Sequence, residues 1–413
     1  MIKKIILVLI ILLGILCVTE YVYAAEESAS TQINGITANW EYKINDSNEI
    51  EDLVCVNASE LTGALQVPST IDGKTVISLG LNAFENSKIT SITIPDTLKD
   101  IGTYAFSDCT NLTQINWGAG VESLGVGAFE DCTGLTEITI PKTFTGHMGN
   151  YPFNGCNNIT KVIFEEGITE IPSFICQNLI GIKEITIPNS VTKIDSFAFN
   201  ACENLERINW GANVESLGVE TFGDCVSLTE ITIPKTFTGH MGNYPFNGCD
   251  NITKVTFEEG ITEIPSFICQ NLIGIKEITI PNSVTNIGSF AFDGCTSLEK
   301  ITILDNVKDF EVDVFRNHNE NLTIYCYEGS AAAKYAIDND IKYVYLTRPA
   351  NDNNEVENNN NGSNNEENNK DNTVAPGKIP QTGQAIISLV TIAIVGIIGI
   401  IIHKKNRKMK DIK

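Results

Sequence analysis

Between about residue 75 and residue 315 the chain alternates apolar and polar positions in short runs that return at nearly constant intervals. The fullest run is LTEITIP, Leu135 to Pro141. On an extended strand it places Ile138 and Ile140 on one side and Glu137 and Thr139 on the other. Equivalent runs open at Ile89, Leu112, Leu135, Ile159, Ile182, Leu205, Leu228, Ile252, Ile275 and Leu298, at gaps of 23 or 24 residues. A unit that short cannot bury its apolar side alone, so the period predicts a solenoid in which each rung packs on its neighbours. Most rungs continue with a second apolar pair, such as Val191 with Ile194, and then Ala-Phe, as at Ala198 and Phe199. That step predicts a single helical turn laying the ring into the core. The fold class expected is an α/β repeat solenoid with a parallel β-sheet face and short helical turns.

A longer period lies over the short one. Trp117 recurs as Trp210, Pro141 as Pro234 and Cys156 as Cys249, and TEITIPKTFTGHMGNYPFNGC stands verbatim at 136–156 and 229–249. Four rungs have been duplicated as a block.

The ends of the stack need covers. Ile36–Ile44 and Ile50–Val56 alternate around NDSN and predict an N-terminal β-hairpin cap over residues 33–75, with Trp40, Tyr42 and Leu53 as contacts. The solenoid of about ten repeats is then assigned to 76–320. Residues 321–348 read as strand, Ala-rich helix and strand, a C-terminal cap.

Composition changes the picture outside the repeats. Residues 349–378 are rich in Asn and Glu and have too few apolar side chains for a core, so they are expected to be a disordered linker. Residues 1–24 combine Lys3 and Lys4, an apolar run from Ile5 and Val22-Tyr23-Ala24, the pattern of a secretory signal peptide. The apolar stretch 385–402 is long enough, about 27 Å as a helix, to span a membrane, and 403–413 is a basic tail expected to stay cytoplasmic. Net charge is −23. Without the leader (Lys3, Lys4, Glu20) and the tail after Thr382 (six basic residues, one acidic) it is −29, which argues against nucleic acid and anionic surfaces as partners.

Nine of the twelve cysteines fall at one place in the repeat. Seven follow a Phe by three residues, and Cys176 and Cys269 follow one by two. That regularity predicts stacked, buried thiols, and no C-x-x-C pair offers zinc-ligand spacing. No phosphate loop, H-E-x-x-H or plausible Cys–His pair is present, so neither an enzyme nor a cofactor or metal is expected. His147 with Met148, repeated at His240 and Met241, reads either as a soft-metal or ligand contact or as a bulging turn copied by duplication. At four rungs of strand spacing the two copies would lie about 20 Å apart.

The outward third positions are Glu137, Lys161, Glu184, Arg207, Glu230, Lys254, Glu277 and Lys300, alternating in sign at every rung. Beside them runs a Thr-rich row that includes Thr139. With strands about 4.8 Å apart, each charge is expected to sit between two of opposite sign, a stripe that neutralises itself. These residues, with His147 and His240, form the candidate ligand surface.

The repeats resemble the BspA-type branch of the leucine-rich repeat family. The resemblance implies a right-handed superhelix and a secreted surface protein, with attachment to host proteins or other cells as the leading function. FTGHMGNYPF (144–153, 237–246) and FICQNL (174–179, 267–272) depart from the usual spacing. The order of Ile379, Pro380, Gln381, Thr382 and Gly383, the apolar span and the basic tail is similar to the Gram-positive LPxTG sorting signal, with Ile379 in place of Leu. It implies a sortase and a peptidoglycan precursor as partners and covalent anchoring to the cell wall. The expectation is a monomeric adhesin for a host or microbial protein or glycan. The alternatives are a structural surface component without a specific ligand and, more remotely, an extracellular enzyme.

Overall fold

The computed structural model describes residues 27–348, apart from 146–147 and 239–240. The expected leader, linker, sorting motif, apolar span and tail lie outside the described residues. Each rung of the solenoid supplies one strand of three to six residues, in most rungs a two-residue strand, and then a run of turns. Strands of neighbouring rungs are parallel and meet at the same repeat position: Glu137 faces Lys161 and Ile138 faces Val162, as Ile185 faces Ile208. Within these hydrogen-bonded pairs inward side chains stack on their counterparts, and Ile138, Ile185, Ile231, Ile278 and Ile301 are buried.

At the N-terminal end Glu27–Ile33, Ile36–Ile44 and Ile50–Cys55 run antiparallel, and Leu53 then pairs in parallel with Leu79. Trp40 is buried with its ring edge-on to Phe84 at 5.9 Å. At the other end come Thr323–Cys326, the helix Ala331–Asp338 and Lys342–Tyr345. The Ser330 side chain caps that helix by accepting from the Ala333 amide at 3.1 Å, and Tyr335 stacks on Phe310 at 4.5 Å.

The core is a column of rings. Phe84, Phe106, Phe129 and Phe153 stack face to face at 5.0–5.3 Å, and Phe199, Phe222 and Phe246 repeat the arrangement at 5.1–5.6 Å. In the FICQNL rungs Ile175 and Ile268 take the ring's place, fully buried, while Phe174 and Phe267 lie one residue outside the column.

The expected helical turns are corrected. The Ala-Phe segment carries two left-handed residues four apart, Tyr104 (φ 53°) and Asp108 (φ 58°) in one rung and Phe197 (φ 60°) and Ala201 (φ 58°) in another. A right-handed helix cannot pass through such residues. Alternate amides instead cross to the next rung, Tyr104 to Val126 O, Phe106 to Ala128 O and Asp108 to Glu130 O, while those between close local turns. Inter-rung bonding outcompetes the helix because the neighbouring rung presents a carbonyl at every second amide.

The eleven cysteines of the described residues are free and buried. For the seven that follow a Phe by three residues the position has a hydrogen-bonding reason: each donates one bond to a carbonyl of the rung before, as Cys132 to Phe106 O (3.1 Å), Cys156 to Phe129 O (3.1 Å) and Cys249 to Phe222 O (3.0 Å). Burial pushes the Cys202 and Cys295 thiols up to about 12. Such thiols stay protonated at the pH at which thiol reagents are used. A thiol reagent is therefore expected to label them only after denaturation; rapid labelling of the native protein, read by mass spectrometry, would contradict that burial.

Two seams interrupt the stack. Among the described residues no backbone hydrogen bond joins 148–164 to 170–187, and the same holds 93 residues on, between 241–257 and 263–280. Across them reach side chains, Asn178 Nδ2 to Asn154 Oδ1 (2.6 Å) and Asn271 Nδ2 to Asn247 Oδ1 (3.3 Å).

Candidate functional site

The sixth position of each strand decides whether the sheet continues. Where it is isoleucine (Ile94, Ile140, Ile187, Ile233, Ile280, Ile303) the next strand is hydrogen-bonded; where it is aromatic (Trp117, Phe164, Trp210, Phe257) the next strand is not. Rungs about 4.8 Å apart match the width of an aliphatic side chain stacked on its copy. A ring turned edge-on in a close-packed core needs more room, so the strand end lifts from its neighbour. Trp117 stands edge-on to Phe129 (5.6 Å) and Phe144 (5.1 Å), and Trp210 does the same with Phe222 (5.6 Å) and Phe237 (5.2 Å). Phe164 meets Phe199 at 6.2 Å, reaching toward the space left by Ile175.

The breaks reorganise the charged row. Glu137, Thr139, Lys161, Glu184, Arg207, Glu230, Lys254, Glu277 and Lys300 are all exposed on one face. Ion pairs form inside hydrogen-bonded strand pairs, Lys161 to Glu137 at 3.3 Å, Lys254 to Glu230 at 3.0 Å and Lys300 to Glu277 at 3.4 Å. None crosses a break among the described residues. The expected continuous ladder is thus a series of separate pairs, because the aromatic wedges part every second or third strand. Arg207 forms no ion pair among the described residues, although Glu184 stands opposite it in register. Reversing charge at Lys161→Glu sets it against Glu137 alone. This is expected to cost about 1 kcal/mol or less and to fade in high salt, read as melting temperature against ionic strength. A salt-independent loss would mean that the pair is not the cause.

The two blocks differ at the wedge. At Ile94 and Ile187 the backbone amide donates to the fifth residue of the next strand, Asn116 O and Asn209 O, both at 2.9 Å. At Trp117 the indole Nε1 takes that carbonyl instead, bonding Thr139 O at 2.7 Å. Trp210 makes neither bond, and a cleft of about 910 Å³ opens there, lined among others by Arg207, Asn209, Trp210, Thr232 and Asn251. Sequence reading passed over Trp117 and Trp210; a bulky aromatic at an inward position held by isoleucine elsewhere was the signal available.

His147 and His240 lie outside the described residues. Met148 and Met241 beside them are buried in the core, Met148 bridging Leu124 as part of the second strand layer. Among the described residues no group of three or more His, Cys, Asp or Glu side chains is placed to hold a metal ion. No helix of the described residues is long and apolar enough to cross a membrane; the 385–402 stretch expected to do so is outside them.

Comparison with known proteins gives one family. The model described as "BspA type Leucine rich repeat region (6 copies)" matches residues 77–206 and 192–323. Among solved structures, the chain is similar to a T. pallidum leucine-rich repeat protein, at 24% identity over 46% of this chain and 87% of that one, with a TM-score of 0.39. A leucine-rich cell surface protein from Faecalibacterium prausnitzii is 22% identical over 75% of this chain and 98% of its own, with a TM-score of 0.36. A leucine-rich repeat protein from Bacteroides ovatus is 19% identical over 79% and 100%, with a TM-score of 0.40. No curated protein matches the chain.

Proposed function

Because the chain belongs to the BspA-type leucine-rich repeat family, we propose that it is a bacterial surface protein whose strand face binds a partner while a C-terminal sorting signal holds it to the cell wall. The carrying observation for binding is the strand face: a row of exposed charged and Thr side chains on a rigid parallel sheet, broken by clefts. Such surfaces in solenoids bind extended or globular partners. Adhesion to a host or microbial protein or glycan is the function this supports, with residues 33–75 and 321–348 covering the ends and 349–378 as the stalk.

The anchoring half rests on sequence order. The order Ile379-Pro380-Gln381-Thr382-Gly383 and then an apolar run from Ala385 is that expected of a sorting signal whose Thr382–Gly383 bond is held at the outer membrane face. A sortase thiolate attacks the Thr382 carbonyl, the amine of Gly383 leaves with the tail, and a peptidoglycan-precursor amine then releases the acyl-enzyme as a new amide. In the native host, wall digestion should release the parent protein, whereas Thr382→Ala should fractionate with membranes. Equal partition of the two would overturn the anchoring.

A structural surface component is the second reading, favoured by the ion pairs that occupy much of the charged row. Saturable attachment of cells bearing the protein to matrix proteins or glycans, lost on deletion, distinguishes adhesion from it.

A further inference from the structure

We propose that the cleft at Trp210 is a binding site for an acidic saccharide, a ligand that presents a carboxylate beside hydroxyl groups. This rests on the adhesion reading and names its ligand class.

The argument begins with what the wedge leaves unpaired. Lifting the strand Arg207–Asn209 away from Glu230–Ile233 removes the ladder bonds that would consume their facing groups. Neither the backbone N–H nor the indole N–H of Trp210 has an acceptor among the described residues. The Thr232 carbonyl occupies the place of Thr139 O, which Trp117 fills, and receives no such bond. Among the groups this leaves open to the cleft are the two N–H donors of Trp210 and the Thr232 carbonyl.

Charge selects the ligand. The cleft's carboxylates are already engaged: Glu206 pairs with Lys183 at 3.6 Å and Glu230 with Lys254 at 3.0 Å. Arg207 is the lining charge left without an ion pair, and its guanidinium offers a planar fork of donors suited to a carboxylate. The Arg207 guanidinium suits an anion, while Thr232 O and the Thr229 and Thr253 hydroxyls suit hydroxyl donors. The half-buried indole adds an amphipathic aromatic surface. A carboxylate and several hydroxyls on one compact ring match this set.

The duplication supplies an internal control. In the first block Gln114 stands at the position of Arg207, and the Trp117 indole is spent on Thr139 O. The same fold without the cation and without the free donor should not bind.

The test measures binding of 3′-sialyllactose, a hyaluronan tetrasaccharide, their methyl esters and lactose to the full-length protein in detergent by calorimetry. At least one free acid is expected to bind, with its ester and lactose at least tenfold weaker. Arg207→Gln, an exposed substitution, should bring the acid down to the level of its ester, and Trp117→Ile should change nothing. The proposal is overturned if neither acid binds, if the esters bind equally well, if Arg207→Gln has no effect, or if Trp117→Ile abolishes binding as well. It is also overturned if an oligoglutamate peptide, and neither saccharide, shows the Arg207 dependence. Cell attachment separates the two readings: attachment that survives Arg207→Gln overturns this site and leaves adhesion standing, whereas saccharide binding without any attachment overturns adhesion and leaves the site.

Discussion

Replacing Phe222 with alanine is expected to cost about 3–5 kcal/mol of folding stability. Phe222 is fully buried and touches three other rings, stacked on Phe199 at 5.1 Å and Phe246 at 5.6 Å and met edge-on by Trp210 at 5.6 Å. Truncation removes the transfer energy of the ring and leaves a void that three rigid neighbours cannot close. In a solenoid the loss falls on both interfaces of one rung, so it is not diluted over a globular core. Phe222→Ile should be milder, because Ile175 and Ile268 occupy the same place in other rungs. Urea denaturation followed by circular dichroism would check both; a loss below about 1 kcal/mol for the alanine variant would show that the column relaxes around the gap.

Asp293→Ala is expected to cost about 2–4 kcal/mol. Asp293 is a buried carboxylate that accepts from Gln270 Nε2 (2.9 Å), Arg316 Nη2 (2.9 Å) and Asn317 Nδ2 (3.0 Å). Gln270 is itself buried and its Oε1 already lacks a partner, so losing Asp293 leaves its whole amide unpaired. Arg316 has an outlet, since it is half exposed and lies over Phe290 at 4.7 Å. The desolvated amide therefore dominates the cost. The first block provides the comparison: there Asn200 accepts from Gln177 at 3.2 Å. Asp293→Asn should retain more stability than the alanine variant, and equal melting of the two would refute the amide argument.

The period and the alternation of Ile138, Ile140, Glu137 and Thr139 contain most of the fold, because stacked identical positions leave a rung little choice of register. The turn layer was not legible in the same way. Tyr104 and Phe197 are poor candidates for left-handed backbone, and Ala198-Phe199 reads as helix unless the neighbouring rung's carbonyls are known. FICQNL misleads by one residue: its Phe174 looks like the core ring, yet Ile175 fills the column and Phe174 stacks on Phe197 outside it at 5.2 Å. On the strand face, sequence located the charged row but made it continuous. The divisions depend on the volume of a side chain at one inward position, and a hydrophobic–polar pattern scores Trp117 and Ile140 alike.

The seams determine how the molecule yields. A rung's hold on the stack is its own stability plus the coupling to its two neighbours. At 148–164 against 170–187, and again at 241–257 against 263–280, that coupling among the described residues is apolar packing and an asparagine bridge, without a ladder. With no backbone bond across them among the described residues, these two joints are expected to extend before the laddered rungs when the stack is loaded along its axis. The duplication that copied the rungs also copied the joint, 93 residues on.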